Sequence, residues 1–345
     1  MRPRLSIIAI CKNEKHNVRR FLGSVGLVSD EIIVVDTGST DGTCEELKSL
    51  GFSEKGRGAL KLRHFNWNDD FAAARNFSLR HATGYWVLWM DLDDRLSASA
   101  PAYINELKKH DHHDTAFGFQ IASVTEEEGT YMRFIQLRMF PNIRGLNWRR
   151  PIHESLHESI ALKKINLEPI PECIILHLGY SDPLLKQQKA IRNAAILEKL
   201  KGEESYERFY QLGDAYFAMN AYDIGCVNYY QARALAITDL QRDSATERII
   251  LGRMVMNDRD QAKIEYDMLS EGTPERLFWE AEFAFLEKDY DKAGPIYEKI
   301  LEIQYQPQSM NSYLDAYKAR AVNILSWMQE QCNAEEAKKE EVTDA

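Results

Sequence analysis

Three groups of acids stand directly behind short apolar runs. Glu14 closes Lys12-Asn13-Glu14 after the run Leu5–Ile10. Asp36 follows Glu31–Val35 and opens Asp36-Thr-Gly-Ser-Thr-Asp-Gly-Thr43. Asp91, Asp93 and Asp94 follow Tyr85–Met90. If the runs are neighbouring parallel strands, their carboxyl ends form one crevice, and Glu14, Asp36, Asp91 and Asp93 converge there. Carboxylates so crowded repel one another, and a divalent cation or ligand donors would relieve the cost. Hard cations such as Mn2+ or Mg2+ suit carboxylates and phosphates. A plainer reading stands beside this one: Thr40, Asp41 and Gly42 are also good turn and helix-capping residues.

Three further sequences could do chemistry. In Phe65-Asn-Trp-Asn-Asp-Asp-Phe-Ala-Ala-Ala-Arg-Asn76, Asn68 or Asp69 can cap a helix with Phe71, Ala74 and Ser78 inward. Arg75 then lies one turn in, within reach of a phosphate or an acid of the crevice, unless it is simply a surface arginine. His153-Glu-Ser-Leu-His157 matches the HExxH zinc signature. That reading needs a helix and a third ligand, and the alternation of Ile152, Leu156, Ile160 and Leu162 fits a strand as well. His110, His112 and His113 read as a solvated loop.

The elements that must position these residues follow from periodicity. Leu5–Ile10, Glu31–Val35 and Tyr85–Met90 are short, apolar and rich in β-branched or aromatic residues, as buried strands are. Helix-like segments lie at Asn17–Val25, Thr43–Leu50 and Asp70–His81. This β-α-β-α-β order predicts a mostly parallel sheet with helices on both faces. Ala116–Val124 and Tyr131–Phe140 flank a hairpin-like turn at Glu126–Thr130, and Cys173–Leu176 is a last apolar run.

Beyond about residue 185 the chain reads as helical. Phe209, Leu212, Gly213, Tyr216, Gly225, Tyr229 and Ala232 fall at offsets of a 34-residue helix pair, and Ala293 with Tyr297 repeats the pattern two periods later. Ala262 with Tyr266 is a degenerate copy out of phase. The pattern resembles the tetratricopeptide repeat, in which small residues let paired helices approach closely. The expected domains are 1–185, a helical region at 186–332, and a disordered acidic tail at 333–345.

The formal net charge of −10 is uneven: residues 1–180 hold 23 basic and 23 acidic side chains, residues 181–345 hold 20 and 30. An acidic helical half disfavours nucleic acid as a partner, though a neutral first half does not exclude it. No apolar run approaches the length of a membrane span, no signal peptide is evident, and the five cysteines form no CxxC. The expectation is a cytoplasmic protein without zinc knuckles or a disulfide framework.

Residues 5–95 resemble the nucleotide-sugar-binding half of a family 2 glycosyltransferase with the GT-A fold. The likeness is carried by Cys11-Lys-Asn-Glu14, Val34-Val-Asp-Thr-Gly-Ser-Thr-Asp-Gly-Thr43 and the DxD-type Asp91-Leu-Asp93. The segment 65–76 and Trp148-x-x-x-Ile-His-Glu154 resemble lipopolysaccharide-core glucosyltransferases and bacteriocin peptide S-glycosyltransferases. The resemblance implies a metal-dependent, inverting hexosyltransferase using a nucleotide-sugar donor, a UDP-sugar foremost. It assigns Asp36 to the base, Asp91 to the ribose, and Glu14 to the nucleoside side. It assigns Asp93 and His177 to Mn2+ or Mg2+, and Glu154 to general-base work on a hydroxyl or thiol. The implied acceptor is a peptide, protein or glycan, and the repeats would shape its site or form a homo-oligomer. Two alternatives stand: a phage-type transferase acting on modified DNA bases, and an interaction scaffold with a degenerate transferase half.

Overall fold

The computed structural model describes residues 3–50, 59–110, 114–125, 129–178, 183–200, 202, 204–304 and 314–343. The chain divides into two compact units, 1–181 and 182–345. The division falls four residues before the expected boundary at 185, because a helix already begins at Pro183.

In the first unit the elements run β1 (Leu5–Cys11), α1 (Lys15–Val25), β2 (Glu31–Asp36), α2 (Thr43–Ser49), β3 (Ala59–His64), α3 (Phe71–His81), β4 (Trp86–Trp89), β5 (Asp94–Leu96), α4 (Ala100–Leu107), β6 (Thr115–Thr125), β7 (Gly129–Pro141), α5 (His157–Leu162) and β8 (Asn166–His177). The strands form one mixed sheet in the order β3-β2-β1-β4-β7-β6-β8-β5. β3, β2, β1 and β4 are parallel, and β7 joins β4 antiparallel. The hairpin expected around Glu126 is the β6–β7 pair; residues 126–128 lie outside the described residues.

Strand alternation explains the two-sided burial. Leu5, Ile7 and Ala9 of β1 join Phe21 of α1, Leu47 of α2 and Ile104 of α4 in one core. Ile8 turns the other way, with Val35 and Trp89, to pack with Ala72 of α3 and with Trp148 and Ile160. Burying both faces leaves the strand ends as the places where polar side chains can gather.

The second unit is helical among the described residues: α6 (Pro183–Lys199), α7 (Tyr206–Ala218), α8 (Tyr222–Ala234), α9 (Asp239–Val255), α10 (Arg259–Tyr266), α11 (Pro274–Leu286), α12 (Tyr290–Glu302) and α13 (Leu314–Thr343). The small residues sit where helices touch. A Cβ at Gly213 would lie 2.6 Å from the Tyr229 ring, and one at Gly225 would lie 3.2 Å from the carbonyl oxygen of Gly213. The tyrosines repeat a bond as well as a position. Tyr229 donates to Asp214 at 2.7 Å and Tyr297 donates to Glu282 at 2.8 Å, each fifteen residues back. The segment 333–343, expected as a disordered tail, instead continues α13. The stretch from 314 to 343 has no glycine or proline, and Ala, Glu and Lys favour helix strongly enough to extend it.

Glu247 of α9 is 4 % exposed. Burial, reinforced by Glu275 and Asp214 and opposed by Arg248, pushes its carboxyl up to about 7. A raised acid stabilises the fold in its neutral form. That contribution is complete below the unfolded carboxylate range and is lost as pH rises through about 7. Glu247→Gln should therefore raise the melting temperature of the helical unit by several degrees at pH 8 and little at pH 5. The upper bound is about 3 kcal/mol. Equal shifts at both pH values in thermal melts would sink this account.

Candidate active site

The site is built at the carboxyl ends of β1, β2 and β4. The loops after β1 and β2 are stitched together by backbone and side chain. Asn13 N donates to Ser39 Oγ at 2.8 Å, Thr40 N to Asn13 Oδ1 at 2.8 Å, and Lys15 N to Asp41 Oδ2 at 3.0 Å. Asp41 also accepts from Thr43 N at 2.9 Å, so it serves the turn, as the plainer reading had it. Gly38 and Gly42 have φ of 106° and 92°, a backbone region that favours glycine.

Asp36 ends β2 and is buried. Its carboxylate accepts the backbone amides of Gly38 at 3.1 Å and Ser39 at 3.1 Å. Burial alone would raise its carboxyl, but Ser39 and these amides hold it below the usual range. Asp36 is thus a fixed anion, with His64 Nδ1 at 3.5 Å from Oδ2.

A second group centres on Arg75. α3 is capped by Asp70, which accepts from Ala73 N at 2.8 Å. This corrects the expected cap: Asp69 has φ of 61° and instead accepts from Trp67 Nε1 at 3.0 Å. Arg75 is 6 % exposed. Its Nη2 donates to Asp91 Oδ1 at 2.9 Å and its Nε to Glu154 Oε1 at 2.5 Å. Its guanidinium carbon lies 4.2 Å from the centre of the Trp89 ring. The next residue holds the loop that carries Glu154. Asn76 accepts from Trp148 N at 2.8 Å and donates to Trp148 O at 2.9 Å, while Phe71 N donates to Pro151 O at 2.8 Å.

The third group is Asp93, Asp94 and His177, whose candidate ligand atoms lie within 4.8 Å of one another. β5 pairs with β8 so that Asp94 faces His177. Asp94 is fully buried; it accepts from Arg138 Nη1 at 2.8 Å and from Asp91 N at 2.9 Å, and bonds His177 Nδ1 at 2.9 Å. Burial opposes its ionisation, but Arg138 and His177 hold it down at about 2. His177 is pushed up to about 9, chiefly by its bond to Asp94. Asp93 shows the opposite balance. Burial pushes its carboxyl up to about 7, and Asp91, Asp94 and Glu14 add to this against the attraction of His177.

This donor set fits a hard divalent cation. Asp93 is a buried carboxylate in a field of other acids, where a cation would favour its charged form. Asp94 on Nδ1 leaves Nε2 of His177 as the nitrogen for a metal, which would bind there with loss of the Nε2 proton. Glu14 accepts from Asn17 Nδ2 at 2.8 Å, and Asn17 Oδ1 accepts from the buried Arg95 at 2.8 Å. That chain ties the loop after β1 to β5.

Among the sequence candidates, the structure joins Arg75, Asp91 and Glu154 directly, and Asp93 with His177. Asp36 and Glu14 each sit in their own networks. Sequence reasoning missed Asp94 as the anchor of His177, and Arg138 and Trp89 entirely. Arg138 also lies over Trp89, at 3.9 Å from the ring centre. Its signal was an arginine set among Leu137, Met139 and Phe140 in the apolar run that became β7. The HExxH reading fails on geometry: the helix starts only at His157, and His153 has φ of 50°, so the two histidines do not share a helical face. His110 is exposed, while His112 and His113 lie outside the described residues.

Residues 6–165 match the family model for glycosyl transferase family 2. A TPR repeat-containing protein of Synechococcus elongatus is 32 % identical over 191 residues, covering 53 % of this chain and 44 % of that one. The glycosyltransferase SunS of Bacillus subtilis is 32 % identical over 95 residues, covering 28 % of this chain and 21 % of its own length. The chain therefore spans less than half of either relative. Among solved structures, a mannosyltransferase of Pyrobaculum calidifontis in complex with GDP-Man and Mn2+ is 18 % identical with a TM-score of 0.42, covering 77 % of this chain and 84 % of that one. The matched residues lie within the first unit, which carries the acids at the strand ends and is similar to glycosyl transferase family 2.

Proposed function

We propose that the protein is a metal-dependent, inverting glycosyltransferase. It moves a hexose from a nucleotide-diphosphate sugar, a UDP-sugar foremost, to a hydroxyl or thiol of a peptide, protein or glycan. The observation that carries this reading is the Asp93–Asp94–His177 group beside the Arg75–Asp91–Glu154 group. One offers a cation site and the other a positioned base. Asp36 accepts an N–H of the base. Asp91 takes the ribose, with Glu14 on the nucleoside side. Asp93 and His177 would hold Mn2+ or Mg2+, which supplies charge neutralisation on the departing diphosphate. Glu154 accepts the proton of the acceptor as its oxygen or sulfur attacks the anomeric carbon. Arg75 fixes Asp91 and Glu154 relative to each other. The helical unit presents the acceptor; its acidic excess suits neutral or basic ones.

No helix among the described residues is long and apolar enough to cross a membrane. We place the activity in the cytoplasm, with the repeats as the route to any homo-oligomer.

A nucleotide-release screen across UDP-, GDP- and TDP-sugars with Mn2+ tests the reading. Release with one donor, lost on chelation and restored by Mn2+, is expected. No release with any donor would overturn it in favour of a scaffold.

A further inference from the structure

We propose that Asp36, Cys44 and His64 form a second metal site, selective for a soft divalent cation such as Zn2+, which blocks nucleotide binding when filled. The three candidate ligand atoms lie within 4.8 Å of one another. Each is delivered by a different element. The β2–β3 register sets Asp36 opposite His64, and the first turn of α2 carries Cys44. Zinc bonds of about 2.0–2.3 Å in tetrahedral geometry place ligands about 3.3–3.8 Å apart. The 3.5 Å between His64 Nδ1 and Asp36 Oδ2 is already such an edge. His64 is exposed, with its side chain 62 % accessible, so its ring can close the remaining gap. The amides of Gly38 and Ser39 orient the carboxylate, as outer partners of metal ligands do.

The chemistry differs from that of the Asp93 group. The Asp93 carboxylate with His177, which Asp94 orients, suits Mn2+ or Mg2+ together with phosphate oxygens. A thiol, an imidazole and one carboxylate suit zinc. At rest Cys44 is a neutral thiol, since burial and the charge of Asp36 push it up to about 11. On binding, the S–H bond breaks, a sulfur–zinc bond forms, and the proton leaves to solvent. The fourth position is open to water. A second buried thiol, Cys11 Sγ, lies 3.9 Å from Asp36 Oδ1. The site itself follows from these contacts. Its inhibitory effect rests on the proposed role of Asp36 at the base, because the Gly38 and Ser39 amides already use part of the carboxylate and zinc would compete with the base N–H for the rest.

Equilibrium dialysis of the full chain against Zn2+, with excess Mg2+ on the hard site, tests the proposal. The wild type is expected to bind one zinc more than Cys44→Ser. His64→Ala, a surface change that leaves the fold alone, is expected to weaken zinc by at least about tenfold. Asp93→Asn should keep the zinc. With Co2+, a thiolate charge-transfer absorption should appear in the wild type and vanish in Cys44→Ser. Calorimetry with UDP should show its affinity falling as zinc is added to the wild type but not to His64→Ala. Identical zinc binding in wild type, Cys44→Ser and His64→Ala would overturn the site. Zinc bound there with UDP affinity unchanged would overturn the inhibition, while the donor screen judges the transferase reading separately.

Discussion

Asp93→Asn is expected to abolish Mn2+-dependent nucleotide release, by at least about a thousandfold, while raising the melting temperature of the metal-free protein. The two effects share one cause. Asp93 is buried, and that burial, reinforced by Asp91, Asp94 and Glu14, outweighs the attraction of His177. Its carboxyl is raised, so its neutral form is the stabilising one below the unfolded carboxylate range. As pH rises through about 7 the folded chain must carry the charge, and at pH 8 an uncharged amide relieves it. The same charge is what would hold the cation. The neighbouring Asp94→Asn should behave in the opposite sense. Asp94 is held down at about 2 by Arg138 and His177, so its contribution is present at neutral pH and lost only as pH falls through about 2. Removing it leaves Arg138, 3 % exposed, without its ion-pair partner, and the protein should melt lower. Thermal melts of both variants with and without Mn2+ decide this. Two variants shifting together, or Asp93→Asn retaining Mn2+-dependent release, would defeat the assignment.

What the sequence revealed and what it hid divide along the range of the interactions. β1, β2 and β4 were legible because a strand buried on both faces is a nearly unbroken apolar run. The acids after them could be placed at one edge of the sheet before any coordinates. β3 was not legible. Its sequence Ala-Leu-Lys-Leu-Arg-His mixes charge with apolar residues, as a strand at the end of the sheet can afford to do. With β3 unread, His64 had no address and its closeness to Asp36 could not be foreseen. Arg138 shows a second limit. Its partner Asp94 lies 44 residues away, and the pair exists only because β7 inserts beside β4. The segment 333–343 shows a third. A charged stretch without large apolar residues reads as a tail, yet its helix propensity continues α13.

Glu154→Gln should lower turnover by about a hundredfold to ten-thousandfold while leaving UDP affinity unchanged. Glu154 stands on a loop that α3 clamps at three points: Asn76 to both polar groups of Trp148, and Phe71 to Pro151. Arg75 then sets its rotamer through Nε and sets Asp91 through Nη2. An amide in place of the carboxylate keeps the shape but cannot take a proton. Arg75 would still hold Asp91, so the donor side should be untouched. Arg75→Lys makes the complementary test. A lysine is a single point charge and cannot hold two carboxylates through separate edges of a planar fork. It also loses most of the stacking on Trp89. That variant should lower both turnover and UDP affinity, where Glu154→Gln lowers turnover alone. Nucleotide-sugar hydrolysis, with water as the acceptor, reads turnover for both without an identified acceptor, and calorimetry reads UDP. Full hydrolysis by Glu154→Gln would remove it as the base and leave it a strut for Arg75. A loss of UDP affinity equal to that of Arg75→Lys would instead make the pair a single donor-binding device.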